Sequence, residues 1–147
     1  MAWNKFIPAT EITDKVTNAT VLFAEEFGTY LGTDEKGVNN NGRTITIASK
    51  LTTSQLRKFF GEVKRQQMNG WDETAFALLK PKLAYAKGRA NINKKRNQIN
   101  KIDDFYTIIV AAIDLVLKSA DKKKAFNNFT QIFEAIVAYH KAAEEQK

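Results

Sequence analysis

The stretch that decides the fold is LTTSQLRKFFGEVKRQQM, residues Leu51–Met68. It opens with a capping box, in which the Thr52 side chain accepts from the Gln55 amide and the Gln55 side chain reaches back to the Thr52 amide. Leu51 and Leu56 occupy the two positions of a hydrophobic staple, which packs the incoming chain against the helix. The stretch therefore predicts a helix that begins beside Thr52.

This helix separates apolar and charged residues onto opposite faces at about 100° per residue. The inward face is formed by Leu56, Phe59, Phe60 and Val63. The outward face carries Arg57, Lys58, Lys64 and Arg65, with Gly61 among them. Glycine costs a helix interior about 1 kcal/mol relative to alanine. Either a phosphate backbone approaches Gly61, where no Cβ obstructs it, or the face is solvated and tolerates the glycine.

The positive charge of the chain is concentrated in its middle third. The net charge is +7 over 147 residues. Residues 51–101 contain 12 Lys and Arg against 3 Asp and Glu, residues 1–50 contain 5 against 6, and residues 102–147 contain 6 against 7. A localised basic patch is the electrostatic signature of a polyanion partner. The charge distribution therefore favours nucleic-acid binding.

The composition predicts one folded domain over residues 1–147. Apolar residues make up 44% of the chain and aromatic residues 11%, which supports a core at this length. There are no cysteines, which excludes disulfides and thiolate metal sites and is typical of the reducing cytoplasm. No long apolar run is present, so we expect no signal peptide, no membrane span and no membrane partner.

Two segments precede the central helix. Apolar residues recur every three or four positions over residues 11–30, which predicts an amphipathic helix ended by Gly28 and Gly32. Residues 32–50 are polar and rich in Gly and Asn, and are predicted to form a long loop. The Asn41-Gly42 pair, followed by alternating isoleucines, is compatible with a short hairpin, but the loop is the preferred interpretation.

Three helical segments follow. Asp72 is expected to cap a helix through about Lys87 that Pro81 either kinks or divides and that Gly88 stops. Three-four spacing predicts a helix near 98–118 and another capped by Asp121. The seam of the last helix is formed by Phe126, Phe129, Phe133, Ile136 and His140. The predicted fold is all-α: a single-domain bundle of about five helices.

Catalytic chemistry is poorly represented in the chain. Its one histidine, His140, falls on the apolar seam and is expected to be packed. Asp103 and Asp104 are adjacent and point about 100° apart on a helix, so they are expected to cap or be solvated and not to bind a metal. No glycine-rich phosphate loop, HExxH, CxxC or DxDxDG pattern occurs. We therefore expect no catalytic residues, no metal, no cofactor and no enzymatic activity.

The aromatic residues are interpreted as packing residues. Tyr85, Tyr106 and Tyr139 have helical spacing among apolar residues, which favours core or subunit-interface positions over base stacking. Trp3 and Trp71 flank predicted helices and are expected to anchor their packing.

Three parts of the sequence carry a family resemblance: ITDKVTNA at the first helix, LTTSQLRKFF at the second, and LLKPKLAYAKGR followed downstream by FEAIVAYHK. Their most specific elements run from Thr52 to Lys58 and from Lys82 to Arg89. In order and spacing they resemble the small, all-helical subunit of the type III-A CRISPR (Csm) effector complex. The Gly/Asn-rich stretch at 32–48 is longer than is usual in that family, so no role is transferred to it.

The resemblance implies a noncatalytic subunit. In that family several copies stack beside the backbone subunits that hold the guide RNA, and contact the backbone of the target RNA paired with it. Cleavage of target RNA belongs to the backbone subunits, and signalling or DNA cleavage to the large subunit. The implied partners of this chain are guide RNA and target RNA, the backbone and large subunits, and copies of itself.

The implied RNA-binding residues come from two helices. The resemblance points to Arg57, Lys58 and Arg65 on the second helix and to Lys87 and Arg89 at the end of the third. Lys82, the first residue of the matching Lys82–Arg89 element, is included with them. Gly61 and Lys64 are added from the geometry of the basic face alone. Such contacts would position a strand without reading its sequence, because guide pairing supplies the specificity.

Two other classes of function remain open from the residues. A stand-alone helical regulator of DNA or RNA would need base-reading side chains on a recognition helix, for which Gln66, Gln67 and Asn69 are the candidates. A structural adaptor would instead use the basic patch to contact an acidic protein. Dependence of affinity on nucleic-acid sequence would favour the regulator, and failure to bind RNA within its assembly would favour the adaptor.

Overall fold

The structure, a computed structural model, describes residues 3–92, 94 and 98–145. The elements in chain order are α1 (Ala9–Thr13), α2 (Asn18–Leu31), β1 (Glu35–Val38), β2 (Thr44–Ser49), α3 (Thr53–Asn69), α4 (Glu73–Ala77), α5 (Leu79–Ala90), β3 (Ile99–Asn100), α6 (Ile102–Lys118) and α7 (Lys122–Glu145). The predicted mainly helical architecture is confirmed. The strands are an addition that the all-α prediction did not contain.

The predicted helix over residues 11–30 is divided into α1 and α2. Glu11 is buried, and its carboxylate accepts hydrogen bonds from the backbone and side chains of Thr17 and Thr20 at 2.7–3.0 Å. Burial raises the pKa of Glu11, but the hydrogen bonds from Thr20 and Thr17 outweigh it and hold that pKa below its usual value. The carboxylate thus binds the residues at the start of α2. In a single continuous helix it would be buried without these hydrogen-bond partners.

The first turn of α3 has the predicted capping box. Thr52 Oγ1 accepts from the Gln55 amide at 3.1 Å, and Gln55 Oε1 accepts from the Thr52 amide at 2.8 Å. The staple residues Leu51 and Leu56 are both buried. Local sequence therefore specified this helix start correctly.

Residues 32–50, predicted as a polar loop, contain the antiparallel pair β1 and β2. The turn between the strands is closed by Asn39, whose Oδ1 accepts from the amides of Asn41 and Arg43 at 2.9 and 3.0 Å, and by Gly42, whose φ is 78°. The hairpin is extended by β3, which pairs in parallel with β2 at Ala48 and Ser49. The loop prediction was wrong, and the hairpin that the Asn41-Gly42 pair allowed is what forms. Only β3, about fifty residues downstream, lay outside any local pattern.

Short-range signals were only partly correct in the next segment. Asp72 Oδ1 accepts from the Ala75 amide at 3.0 Å, as predicted. Pro81 divides the helix, because α4 ends at Ala77 and Pro81 lies in the first turn of α5, where its missing N–H costs nothing. Gly88 does not stop α5, which continues to Ala90.

The helix predicted over 98–118 begins later, at Ile102, because Ile99 and Asn100 belong to β3. Asp121 caps α7, with its Oδ1 3.1 Å from the Lys124 amide. All five residues predicted for the seam of α7 are buried. Phe133 forms edge contacts with Phe59 and Phe60 of α3, at ring-centroid distances of 5.3 and 5.7 Å. These aromatic contacts hold the inner face of α3 against α7.

The N-terminal helices and α4 pack through the predicted tryptophans. Trp3 contacts Phe23, Phe27 and Tyr30 at centroid distances of 5.0–6.1 Å. Trp71 contacts Phe76 and Phe126 at 5.4 and 5.2 Å. Both tryptophans are packing residues, as the sequence predicted.

Candidate nucleic-acid interface

The outer face of α3 is exposed at the predicted basic positions. Arg57, Lys58 and Arg65 are exposed and Lys64 is half-buried. A Cβ added to Gly61 would meet nothing within 4 Å. The apolar residues of the same helix are turned away from this face, with Leu56, Phe59 and Val63 buried in the core. A strand can therefore approach α3 at Gly61 to the distance that the helix backbone allows.

Glu62 interrupts the positive charge on one flank of α3. Its carboxylate forms ion pairs with Arg65 of the same helix and with Lys82 of α5, the latter at 3.1 Å. The hydrogen bonds from Arg65 and Lys82 lower the pKa of Glu62 to about 2, although burial opposes them. Glu62 therefore remains ionised at neutral pH, and Arg65 and Lys82 are partly neutralised before any ligand binds.

Lys64 is also engaged within the protein. Its ammonium lies 3.7 Å from the Glu134 carboxylate of α7 and 5.8 Å from the centre of the Phe60 ring. Arg57 and Lys58, by contrast, form no ion pair with any residue that the structure describes. Of the four cations on the basic face, Lys64 and Arg65 therefore form ion pairs within the protein, and Arg57 and Lys58 do not.

A cleft of about 420 Å³ separates α3 from α5. It brings together three of the predicted residues from the two helices, namely Lys58, Lys82 and Arg89. A shallower groove beside it is lined by Thr53, Ser54, Arg57 and Lys58, and shares Ser54 and Lys58 with the cleft. Positive charge therefore continues from the outer face of α3 into the space between the helices.

Lys87 lies on the other side of α5. Its ammonium is 4.6 Å from the centre of the Tyr106 ring of α6, and it borders a separate hollow with Gly88 and Asn91. The predicted set of residues is therefore not one continuous surface, since Lys87 is separated from Lys82 and Arg89 by the width of a helix.

Tyr85 is not in the core, which was one of the two positions that the sequence favoured for it. Its side chain is 69% exposed and lines the cleft, with the hydroxyl 3.5 Å from Nη1 of Arg89. A signal was present in the sequence, because Tyr85 follows the inward-facing Leu83 by two positions, or about 200° around the helix. Spacing from the nearest core residue identifies such a position better than membership of an apolar segment.

The side chains that a sequence-reading regulator would use are only partly available. Gln66 is 7% exposed, and its amide donates to the Ala75 carbonyl at 3.1 Å and lies 3.3 Å from Glu62. It therefore connects α3 to α4, and its amide faces the protein. Gln67 and Asn69 are exposed.

The groups considered for catalysis have structural partners. His140 is buried, and its Nε2 donates to the Leu51 carbonyl at 2.5 Å. Asp103 accepts from Asn91 at 2.8 Å and Asp104 from the Tyr30 hydroxyl at 2.6 Å, so the two carboxylates bind different elements. Within residues 3–92, 94 and 98–145, no group of three or more His, Cys, Asp or Glu could hold a metal ion. None of the described helices is long and apolar enough to cross a membrane.

Fold and charge define a mainly helical protein with one basic face around an interhelical cleft. The Csm2 Type III-A family matches residues 34–146. The chain therefore belongs to this family, whose members are the small subunits of the type III-A Csm complex. No curated protein and no solved structure gave a match. Of the segments that carried the resemblance, ITDKVTNA lies before the matched range, and the others lie within it.

As a member of the family, the chain is a subunit of a type III-A CRISPR effector and assembles with other Csm subunits. The matched range includes the whole site, from α3 to the end of α5, and also the hairpin at 35–49.

Proposed function

We propose that this subunit binds the sugar-phosphate backbone of the RNA held in the effector complex and does so without reading its sequence. The main support for this proposal is the exposed face of α3. On this face Arg57 and Lys58 have no ion pair among the described residues, and Gly61 leaves the helix backbone accessible to a strand. The ligands are the target RNA and the guide RNA paired with it. Lys82 and Arg89 of α5 extend the same contact across the cleft, and Lys87, on the other side of α5, is proposed to contact the RNA separately.

The subunit is proposed to be noncatalytic and to act in the cytoplasm, where several copies stack along the complex. Family membership supports this role. The single histidine of the chain, His140, is packed against the Leu51 carbonyl. Cleavage chemistry then belongs to neighbouring subunits, and this chain holds the strand in position for it. Its contribution to binding is electrostatic and hence salt-dependent.

The ion pairs predict an unequal contribution of the four cations on α3. The variant Arg57→Ala/Lys58→Ala removes the two cations without ion pairs. The matched variant Lys64→Ala/Arg65→Ala removes the same amount of charge from the same helix, but from the two cations that have ion pairs. If all four cations neutralised phosphates on a single strand, raising salt from ~50 to ~200 mM would weaken binding about fiftyfold, and either double variant would lower this to about sevenfold. Because Lys64 and Arg65 already have carboxylate partners, we expect their removal to leave the salt dependence close to wild type, and the removal of Arg57 and Lys58 to take away most of it.

The experiment measures target-RNA affinity of the reconstituted complex at several salt concentrations. Lys15→Ala/Lys123→Ala, which removes two exposed cations away from α3 and α5, is the control and should leave the salt dependence unchanged. Equal affinities and equal salt slopes for all variants would show that α3 does not contact RNA. A defect in subunit assembly alone would favour the adaptor function.

Stacking of copies makes a second, independent prediction. One subunit offers few phosphate contacts, whereas copies in register act at high effective concentration along one strand. We therefore expect the isolated chain to bind a given RNA far more weakly than the assembled complex does. Nanomolar, sequence-selective binding by the isolated chain would instead favour the stand-alone regulator.

A further inference from the structure

The cleft between α3 and α5 has an apolar floor that phosphate contacts do not require. Its lining includes Leu51, Phe59, Leu83, Ala86, Ile102 and Phe105. Phosphates remain hydrated beside lysine and arginine on an open surface, so a backbone-binding face needs only a basic ridge. At about 420 Å³ the cleft is within the size range of small-ligand pockets. Its depth and apolar lining therefore call for a second kind of group.

Tyr85 provides an aromatic face at the edge of this cleft. It lies one helical turn before Arg89, with the two side chains in contact at 3.5 Å. An exposed tyrosine beside an arginine is the arrangement on which unpaired bases stack in single-strand binding proteins. Tyr85 has this geometry while remaining accessible from solvent.

The basic groove on α3 leads a strand to the cleft. Arg57 and Lys58 border the groove, and Lys58 and Ser54 border both the groove and the cleft. A phosphate bound beside Arg57 and Lys58 places the next nucleotide at the mouth of the cleft, because successive phosphates are only a few ångströms apart. Arg89 is on the α5 side of the cleft, where it can bind the following phosphate.

We infer that the cleft between α3 and α5 takes one unstacked nucleobase of the RNA strand, with its ring against Tyr85 and its flanking phosphates on Lys58 and Arg89. This inference rests on the proposed backbone binding by α3. Selectivity for base identity is expected to be small, because stacking suits every base. Among the described residues of the lining, Gln55 is the only amide side chain, and its carbonyl oxygen is already used in the capping box.

Charge favours a nucleotide over an apolar side chain of a partner protein. Of the residues that the structure describes, the rim carries Lys58, Lys82 and Arg89 against one carboxylate, Glu62, which is already bound by Arg65 and Lys82. A nucleotide presents a flat ring for the apolar floor and a negative phosphate for the rim. A leucine or phenylalanine of a partner would fill the floor and leave the cations unmatched.

The test separates base binding from backbone binding with two single strands of equal length and charge. One is an RNA of uridines and the other is the same sugar-phosphate backbone without bases. Affinities of the full chain are measured at low salt for wild type, Tyr85→Ala and Tyr85→Trp. The control is Phe6→Ala, which removes another exposed aromatic ring. Folding of each variant is verified by thermal unfolding.

We expect Tyr85→Ala to weaken binding of the uridine strand by between about fivefold and about 150-fold, and Tyr85→Trp to preserve it. Binding of the abasic strand should be the same for all variants, and the salt slope should not change because no charge is lost. If Tyr85→Ala does not affect the uridine strand while Arg57→Ala/Lys58→Ala still weakens it, the nucleobase inference is wrong and backbone binding stands.

The remaining outcomes are equally decisive. Loss of complex assembly by Tyr85→Ala, with affinity for the uridine strand retained, would assign the cleft to a side chain of a partner subunit and overturn the inference. Absence of any RNA binding, by the chain alone and by the complex, would contradict the nucleobase site together with the proposed function.

Discussion

Glu62 determines which cations of the site are available. Because its carboxylate bridges Arg65 on α3 and Lys82 on α5, these two residues meet a phosphate only by sharing or leaving an internal partner. Arg57 and Lys58 have no such competitor among the described residues. Counting basic residues in the sequence therefore overstates the positive charge that is free to bind a phosphate. The partly buried carboxylate of Glu62 accounts for much of this excess, because it pairs with two of the cations.

The lowered pKa of Glu62 predicts a pH dependence of stability. A carboxylate whose pKa is about 2 in the folded state and near 4.5 when unfolded stabilises the fold above that upper value. This contribution is lost progressively as the pH falls from about 4.5 to about 2. We expect the difference in unfolding free energy between wild type and Glu62→Gln to shrink over that interval, measured by urea unfolding. A difference that stays constant with pH would contradict the ion-pair geometry.

Gly61 predicts a separation of stability from binding. In Gly61→Ala the added methyl group meets open space, so the variant should be stabilised by up to about 1 kcal/mol through helix propensity. Gly61→Glu should fold, yet weaken RNA binding by the complex because it puts bulk and negative charge where the strand passes. Thermal unfolding and RNA titration of the two variants test this. Unchanged affinity for Gly61→Glu would place the strand elsewhere.

At the scale of elements, the close approach of two helices explains the position of a glycine that local patterns misassigned. Gly28 was predicted to end the first helix, but it lies inside α2 against α7. A Cβ there would lie 2.7 Å from the Ile136 carbonyl oxygen and 2.8 Å from Cβ of Tyr139. The glycine is thus required by the spacing of two helices and not by a turn.

Gly28→Ala is therefore expected to act in the opposite direction to Gly61→Ala. The clashing atoms include backbone, so α2 and α7 must move apart, at a cost of about 1–3 kcal/mol that exceeds the gain in helix propensity. Urea unfolding of the two variants gives a matched comparison of one substitution at two helical sites. Stabilisation at both positions would contradict the close packing of α2 on α7.

On the scale of the whole molecule, Lys101 joins parts that are distant in sequence. It is 1% exposed, and its ammonium donates to the carbonyls of Tyr30 and Thr33 at 2.8 and 2.7 Å and pairs with Glu35 at 2.9 Å. Its backbone amide donates to the carbonyl oxygen of Ser49 at 2.9 Å. One lysine thereby connects the end of α2, both strands of the hairpin and the start of α6.

Lys101→Met should be strongly destabilising, by about 3–5 kcal/mol, because it leaves Glu35 and two carbonyl oxygens without the buried cation. Lys101→Met/Glu35→Gln should lose less than the sum of the two single variants, since the unpaired carboxylate is then removed. Urea unfolding of the four proteins measures this coupling. Additive losses would show that the ion pair contributes little.

Features of the site that depend on residues close in sequence could be predicted, and features that depend on distant residues could not. The basic face of α3 was predicted because helical periodicity places Arg57 and Lys58 together on a solvent face. The accessible Tyr85 and the division of the cations by Glu62 and Glu134 were not, since each depends on how α3 meets α5 or α7. The RNA contacts themselves remain a prediction.

The sequence by itself determined the starts of α3, α4 and α7, the inward faces of the long helices and the basic middle of the chain. Those features depend on hydrogen bonds and side-chain spacing within about four residues, such as the Thr52–Gln55 box. Tertiary structure alone decided the break between α1 and α2, the strand β3 beside β2, the burial of Lys101 and the cleft. These depend on groups brought together from distant parts of the chain, whose partners no local pattern specifies.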